Sequence, residues 1–236
     1  MEYTTRRTPE ERAEQQRKQQ IGTLDSWARA GFQEIPEKYR GVRLSQLAPS
    51  DKSRLPLDDQ QRLYDELRAN PLGGWAFFAP AGYSKTTCSW ALYKIALVDN
   101  LKRCLFASGH TEWEPDRPNR TDCPWVFVFQ ASMPEWLARI QDSWDGGQKP
   151  RLNFEKIGAA RKLGYTPRVF LSEIDKIKDG SDWATNQIFM LFDAIDVHKG
   201  QLVFDTNLSR EQFLNRFGEA IYRRVKENCE RREYGF

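Results

Sequence analysis

The chain has 236 residues, which suits one sizeable α/β domain with a short appendage and is short for two full domains. Its 39% hydrophobic and 29% charged residues are ordinary for a globular protein, and no apolar run approaches the roughly 18 to 20 residues that cross a bilayer. A net charge of +3 defines no partner by itself. Cys88, Cys104, Cys123 and Cys229 contain no CxxC pair and have only His110 and His198 to assist them, so reduced, partly buried thiols are expected rather than a zinc site.

The N-terminus, MEYTTRRTPEERAEQQRKQQ, lacks the apolar core of a secretory signal, and a cytoplasmic protein is expected. Residues 1–30 read as a charged N-terminal arm. Within it, residues 6–20 offer no apolar face for docking, which fits either a solvated helix or a disordered arm. Residues 31–70 read as a linker with short helices ahead of the core. From Ile21 to Leu47 the pattern is semi-apolar, and Pro36 interrupts any continuous helix. Leu57, Leu63, Tyr64 and Leu67 recur at helical spacing over residues 57–69, with Asp58 and Asp59 suited to the positive end of the helix dipole.

The core is expected over residues 71–236, where strand-like and helix-like segments alternate. Strands are expected at Trp75–Ala79, Trp125–Ala131, Arg168–Leu171 and Gln201–Thr206. Helices are expected at Thr86–Asp99, Pro134–Trp144, Trp183–Ile195 and Arg210–Lys226, and a surface loop at residues 107–124. Residues 101–106 fit either an extra strand or the tail of the preceding helix. This alternation predicts an α/β fold with a parallel sheet flanked by helices.

Three strand ends carry the chemistry. Residues 79–86, APAGYSKT, match GxxxxGK[ST] at Lys85 and Thr86 but place Ala79 and Ser84 at the pattern glycines. Such a loop turns backbone N–H groups around phosphates, while its lysine meets their charge and its hydroxyl binds Mg²⁺. Glycine is favoured where φ is positive, so Ser84 implies strain or an altered loop. Alone, the motif also describes an ordinary strand-to-helix turn with a solvated lysine.

In PRVFLSEIDK, residues 167–176, an apolar strand delivers Ser172 and Glu173 where a nucleotide hydrolase places one carboxylate toward the metal and a second toward the attacking water. Ser172 can hold a metal-bound water, and Glu173 can polarise the attacking one. Asp175 reads as a cap or a solvent-facing acid. The third strand, in QLVFDTNLS, ends at Asn207, and the following helix carries FGEAIYRRV with Arg223 and Arg224. Asparagine at that tip can orient water against a γ-phosphate, and one of the arginines can reach a neighbouring subunit's nucleotide.

The order of these motifs resembles the AAA+ ATPases, and within them the branch of DnaC-type helicase loaders and IstB-type transposition helpers, over about residues 35–226. The segments that carry the likeness are IPEKYRGVRLSQL, WVFVFQASMPEWLARIQDSWDGG, FDTNLS and FGEAIYRRV. The resemblance implies a P-loop NTPase core, with no full C-terminal lid domain in this chain. It implies ATP and Mg²⁺ as ligands, with Ala81, Gly82, Tyr83, Ser84, Lys85, Thr86 and Thr87 around the phosphates. Thr86 is then the Mg²⁺ ligand, with Ser172 acting through water, and Glu173, Asn207 and Arg224 are the catalytic acid, the sensor and the arginine finger. Arg231 and Arg232 are candidates for a second sensor. Ala79, Ala81, Ser84 and Ser172 depart from the family pattern and bear on hydrolysis more than on binding. The implied partners are further copies of the chain in a head-to-tail oligomer, DNA, and a replicative helicase or transposase.

A basic stretch, residues 146–168, holds Lys149, Arg151, Lys156, Arg161, Lys162 and Arg168 against one acid, Glu155, with Phe154 and Tyr165 between them. It suits a phosphate-backbone contact with stacking, or equally a solvated basic helix. The N-terminal arm likewise fits a partner-binding appendage or a tail of no specific role.

Overall fold

A computed structural model of the chain describes residues 8–33, 35–107, 127–148, 150, 152–162, 164–177 and 181–235. Five strands, β1 (Trp75–Phe78), β2 (Val128–Ser132), β3 (Arg168–Ser172), β4 (Gln201–Thr206) and β5 (Glu230–Glu233), form one sheet in the order β2-β3-β4-β1-β5. Every pairing is parallel. Parallel neighbours need crossover connections, and these place helices on both faces.

The two-residue period of β1 shows how the layers divide. Trp75 and Phe77 pack with α3 (Leu57–Ala69) and α4 (Lys85–Ala107), whereas Ala76 and Phe78 pack with α7 (Asp182–Val197) and α8 (Arg210–Asn228). Because β1 is covered on both sides it reads as a continuous apolar run rather than an alternating one, and β4 is likewise buried throughout, with Leu202, Val203 and Phe204 as its apolar centre. Phe204 of β4 is fully buried against Phe78, Phe192 and Phe213, edge-on to Phe78 at 5.7 Å. Removing an aromatic ring from such a site costs about 3 to 5 kcal/mol.

The helix boundaries follow local chemistry. Pro134 occupies the first turn of α5 (Met133–Trp144), where its missing N–H is harmless. Ser209 and Gln212 form a reciprocal capping box at the start of α8. Gly218 interrupts α8 with φ 82 and ψ 165, a kink that residues with a Cβ disfavour. Residues 101–106 are resolved as the tail of α4, not an extra strand.

Two features differ from the sequence reading. Of the two readings of residues 6–20 the solvated helix is the one found from Pro9 onward, and this helix, α1, runs on to Gln33 where a linker with a short helix is expected. Its first half is exposed, and its end docks on the α3/α4 face through Ala28, buried Gly31 against Leu97, and Phe32. The polar pattern of residues 6–20 does not terminate the helix, because the later apolar residues supply its anchor. The chain then crosses α2 (Glu37–Arg40), where the Lys94 ammonium donates to the carbonyls of Tyr39, Arg40 and Val42.

The second difference is β5, a strand with no apolar residue and no expectation from sequence. It is an edge strand held by its ladder to β1 and by the ion pairs Arg232–Glu66 and Arg210–Glu233. Charged edge strands resist pairing with other chains, so the absence of an apolar pattern suits its position. The expected loop at residues 108–124, and the beginning of the expected strand at 125–126, lie outside the described residues.

Candidate functional site

The ends of β1, β3 and β4 meet at one edge of the sheet, the carboxyl edge at which open α/β folds hold their ligands. Between β1 and α4 the backbone turns through Ala81 and Gly82, the latter at φ 93, and then through Ser84 at φ 59. Ser84 thus adopts the left-handed conformation that the pattern glycine would take. Of the alternatives left by the sequence, strain is the one observed, at roughly 1–2 kcal/mol for a residue with a Cβ. The Ser84 carbonyl accepts the Cys88 N–H at 3.1 Å, the bond that carries the loop into α4. From outside, Arg54 N–H donates to the Gly82 carbonyl at 2.9 Å, fixing the loop to the segment before α3.

Lys85, 8% exposed, turns back into this loop. Its ammonium donates to the Ala79 carbonyl, to the Pro80 carbonyl at 2.8 Å and to the Asn207 amide oxygen at 3.1 Å. Burial lowers its pKa, and the acids Asp205 and Asp175 oppose that shift. All three ammonium protons are therefore satisfied by neutral oxygens, which an anion can displace with a gain in charge pairing. Thr86 and Thr87 follow in the first turn of α4, both half-buried.

Asn207 is oriented from two sides. Its amide nitrogen donates to Asp175 Oδ2 at 2.9 Å and its backbone N–H to Asp175 Oδ1 at 3.1 Å, leaving the amide oxygen to Lys85. Asp175 is neither a simple cap nor a free acid. It lies on a short 3-10 turn, Ile174–Lys176, anchored by buried Ile174. Arg216 of α8 donates to the backbone carbonyls of Asp175 and Ile177, so α8 also holds this turn.

Glu173 sits at the β3 tip with φ 60 and ψ 30, another non-glycine residue in the left-handed region. Its carboxylate accepts from Lys176 and from the Ser132 hydroxyl at 2.9 Å, and these bonds, Lys176 first, hold its pKa below the usual range. Ser172 pairs in register with Ser132 of β2 and lines a cleft with Thr86, Ser89, Gln130 and Asp205. That cleft has about 20 Å³ open to a water-sized sphere, about enough for one water.

Asp205 is the member of this group that motif reading missed. A carboxylate within the apolar run QLVFDT is the available signal, because ionisable side chains are rarely buried without a task. It is 7% exposed, and burial raises its pKa to about 6 despite the attraction of Lys85.

Arg224 lies apart from this cluster, on the seam between α7 and α8. It bonds Asp193 and lies 3.7 Å from Asp196 and 3.8 Å from Glu227. Arg223 is exposed, 3.9 Å from Glu227. Arg231 and Arg232 belong to β5, and Arg232 pairs with Glu66 at 2.6 Å.

The basic stretch is only partly a surface. Lys149 and Arg151 lie outside the described residues. Lys156, Arg161 and Lys162 fall on α6 (Phe154–Lys162), the last two exposed. Arg168 is buried and paired with Asp99 at 2.6 Å, so it is withdrawn from any external phosphate. Phe154 packs edge-on to Trp136 and Tyr165 stacks on Phe127, so both rings are taken up by the core rather than offered to bases. Among the described residues no group of three or more His, Cys, Asp or Glu could hold a metal, and no helix is long and apolar enough to cross a membrane.

No protein-family model matches the chain, and no curated protein matches it in sequence. Solved structures do. The crystal structure of the DnaC helicase loader is similar with a TM-score of 0.55 and 16% identity, over 83% of this chain and 98% of that one. The replication initiator DnaA bound to AMPPCP and single-stranded DNA matches at 0.50 and 13%, over 86% of this chain and 51% of that one. At these identities the likeness is one of fold. With the all-parallel order β2-β3-β4-β1-β5 and helices on both faces, the chain has the fold of an AAA+ P-loop NTPase core.

Proposed function

We propose that the chain binds ATP at the loop Ala81–Thr87 and acts as an AAA+ protein of the helicase-loader or transposition-helper kind, assembling head to tail on or near DNA. The observation that carries this reading is the convergence on one loop of Lys85, Asn207 and the positive-φ residues Gly82 and Ser84. The loop has a cradle's shape, and its lysine is held by carbonyls that a phosphate can replace.

In this reading the backbone N–H groups of residues 82–87 and the Lys85 ammonium bind the phosphates. Thr86 holds Mg²⁺ through its hydroxyl and Ser172 reaches it through water, which suits an ion that usually keeps several waters. Bound there, Mg²⁺ neutralises phosphate charge. Glu173, kept ionised by Lys176 and Ser132, accepts a proton from the attacking water, and Asn207 orients that water. Arg224 serves the nucleotide of the adjacent subunit, with Asp193 and Asp196 setting its direction. Lys156, Arg161 and Lys162, with Lys149 and Arg151, contact DNA phosphates. The arm contacts the replicative helicase or transposase.

Titration calorimetry with ATP tests the base of this reading. Wild type binds and Lys85→Ala weakens binding at least tenfold; equal affinity would refute it.

A second reading is favoured by Ser172, which carries no charge where a hydrolase of this plan has an acid. The chain is then an adaptor in which ATP orders an interaction surface without turnover. Steady-state phosphate release abolished by Glu173→Gln supports the enzyme. No release at any DNA or partner concentration supports the adaptor.

A further inference from the structure

Asp205 is a buried acid with no role in the reading above. On β4 it stands one position beyond the register pair Leu171–Phe204, which sets it beside Ser172 on the adjacent strand. Residues at equal register on neighbouring parallel strands point to the same face. Here that face is the α4 side, where Phe170 and Val203, two residues earlier on each strand, already pack. Asp205 and Ser172 accordingly line one cleft with Thr86.

Its bonding is incomplete. Among the described residues, its carboxylate accepts a single hydrogen bond, from Ser89 at 3.4 Å, and takes part in no ion pair. The Lys85 ammonium attracts it through space but spends its protons on Ala79, Pro80 and Asn207. A carboxylate so buried is costly unless a cation or strong donors face it. Glu173 and Asp175 add negative potential in the same region, which deepens the demand for a cation.

We propose that Asp205 supplies, from the neighbouring strand, the carboxylate that position 172 lacks, and so holds the divalent cation of the bound nucleotide together with Thr86. The proposal rests on the nucleotide-binding reading. It changes the meaning of Ser172: the acid of the metal site has moved one strand across the sheet, and the serine opposite leaves room for it.

The test uses the full chain, a non-hydrolysable ATP analogue, and Mn²⁺ as the metal. Affinity for the analogue is measured in EDTA and in Mn²⁺ for wild type, Asp205→Asn, and the double variant Asp205→Asn with Ser172→Asp. Failure of wild type to bind the analogue in either condition refutes the nucleotide reading and this proposal with it. Where wild type binds, the proposal expects Asp205→Asn to keep its EDTA affinity within twofold and to lose at least tenfold of the enhancement by Mn²⁺, with the double variant restoring it to within threefold. An Asp205→Asn enhancement within twofold of wild type overturns the proposal, as does a double variant no better than the single one. Should Asp205→Asn fail to fold by circular dichroism, the double variant decides alone: enhancement within threefold of wild type supports the transfer of the carboxylate, and a tenfold loss overturns it.

Discussion

Lys85 and Asn207 are 122 residues apart in the chain, yet the ammonium of one donates to the amide oxygen of the other at 3.1 Å. Asp175 completes the arrangement by holding the amide nitrogen, so the orientation of Asn207 toward Lys85 is set by an acid on a different strand end. The first prediction follows from this chain of contacts. Asp175→Ala frees Asn207 on both its side chain and its backbone, and costs about 0.5 to 1.5 kcal/mol of stability, the net scale for hydrogen bonds that water can replace. Thermal denaturation checks this, and phosphate release, where present, falls by more than the affinity for ATP does. Unchanged stability and turnover would show that Asp175 does not position Asn207.

In the head-to-tail assembly proposed above, Arg224 of one subunit and Glu173 of the next would serve one nucleotide. Arg224→Ala and Glu173→Gln are each expected to abolish ATP hydrolysis alone. Mixed in equal amounts they regain part of it, since an interface that pairs an intact Glu173 with an intact Arg224 re-forms. Phosphate release from the mixture is the measurement, and a mixture as inactive as its parts argues against action across the interface.

Ser84 bears left-handed strain on the loop before α4. Relief of the strain is worth about 1–2 kcal/mol, and the freer unfolded chain of glycine offsets part of it. Ser84→Gly therefore denatures within about 1 kcal/mol of wild type, while Ser84→Val, β-branched at φ 59, is destabilised by more than 1 kcal/mol. Urea midpoints of the two variants rank them, and equal midpoints would mean that the loop relaxes.

Cys88 and Cys229 are buried thiols, and burial pushes the Cys88 pKa up to about 12 and raises that of Cys229 as well. The reactive thiolate is then scarce at pH 8, so iodoacetamide leaves both unmodified in the folded protein and labels both in denaturant. Peptide mass spectrometry reads the two sites separately. Rapid native labelling of Cys88 would reveal opening of the first turns of α4.

The alternation of apolar runs and helical segments suffices for the parallel α/β class, because strands covered on both faces are built on apolar runs. Gln201–Thr206 is legible through its apolar centre, Leu202 to Phe204. That the segments carrying Lys85, Glu173 and Asn207 come together is legible as well, since they follow β1, β3 and β4 and the strand ends of a parallel sheet share one edge. Tertiary structure decided what has no local pattern. Strand β5 exists through its ladder to β1, and α1 continues to Gln33 because its last turns find α4. Arg168 reads as one more cation of a basic stretch until Asp99 claims it in the interior. Asp175 and Asp205 acquire their places only when β3 and β4 lie side by side: the carboxylate of each acts on a residue or cleft far away in sequence, and the energy of a buried charge depends on those neighbours rather than on the residues beside it in the chain.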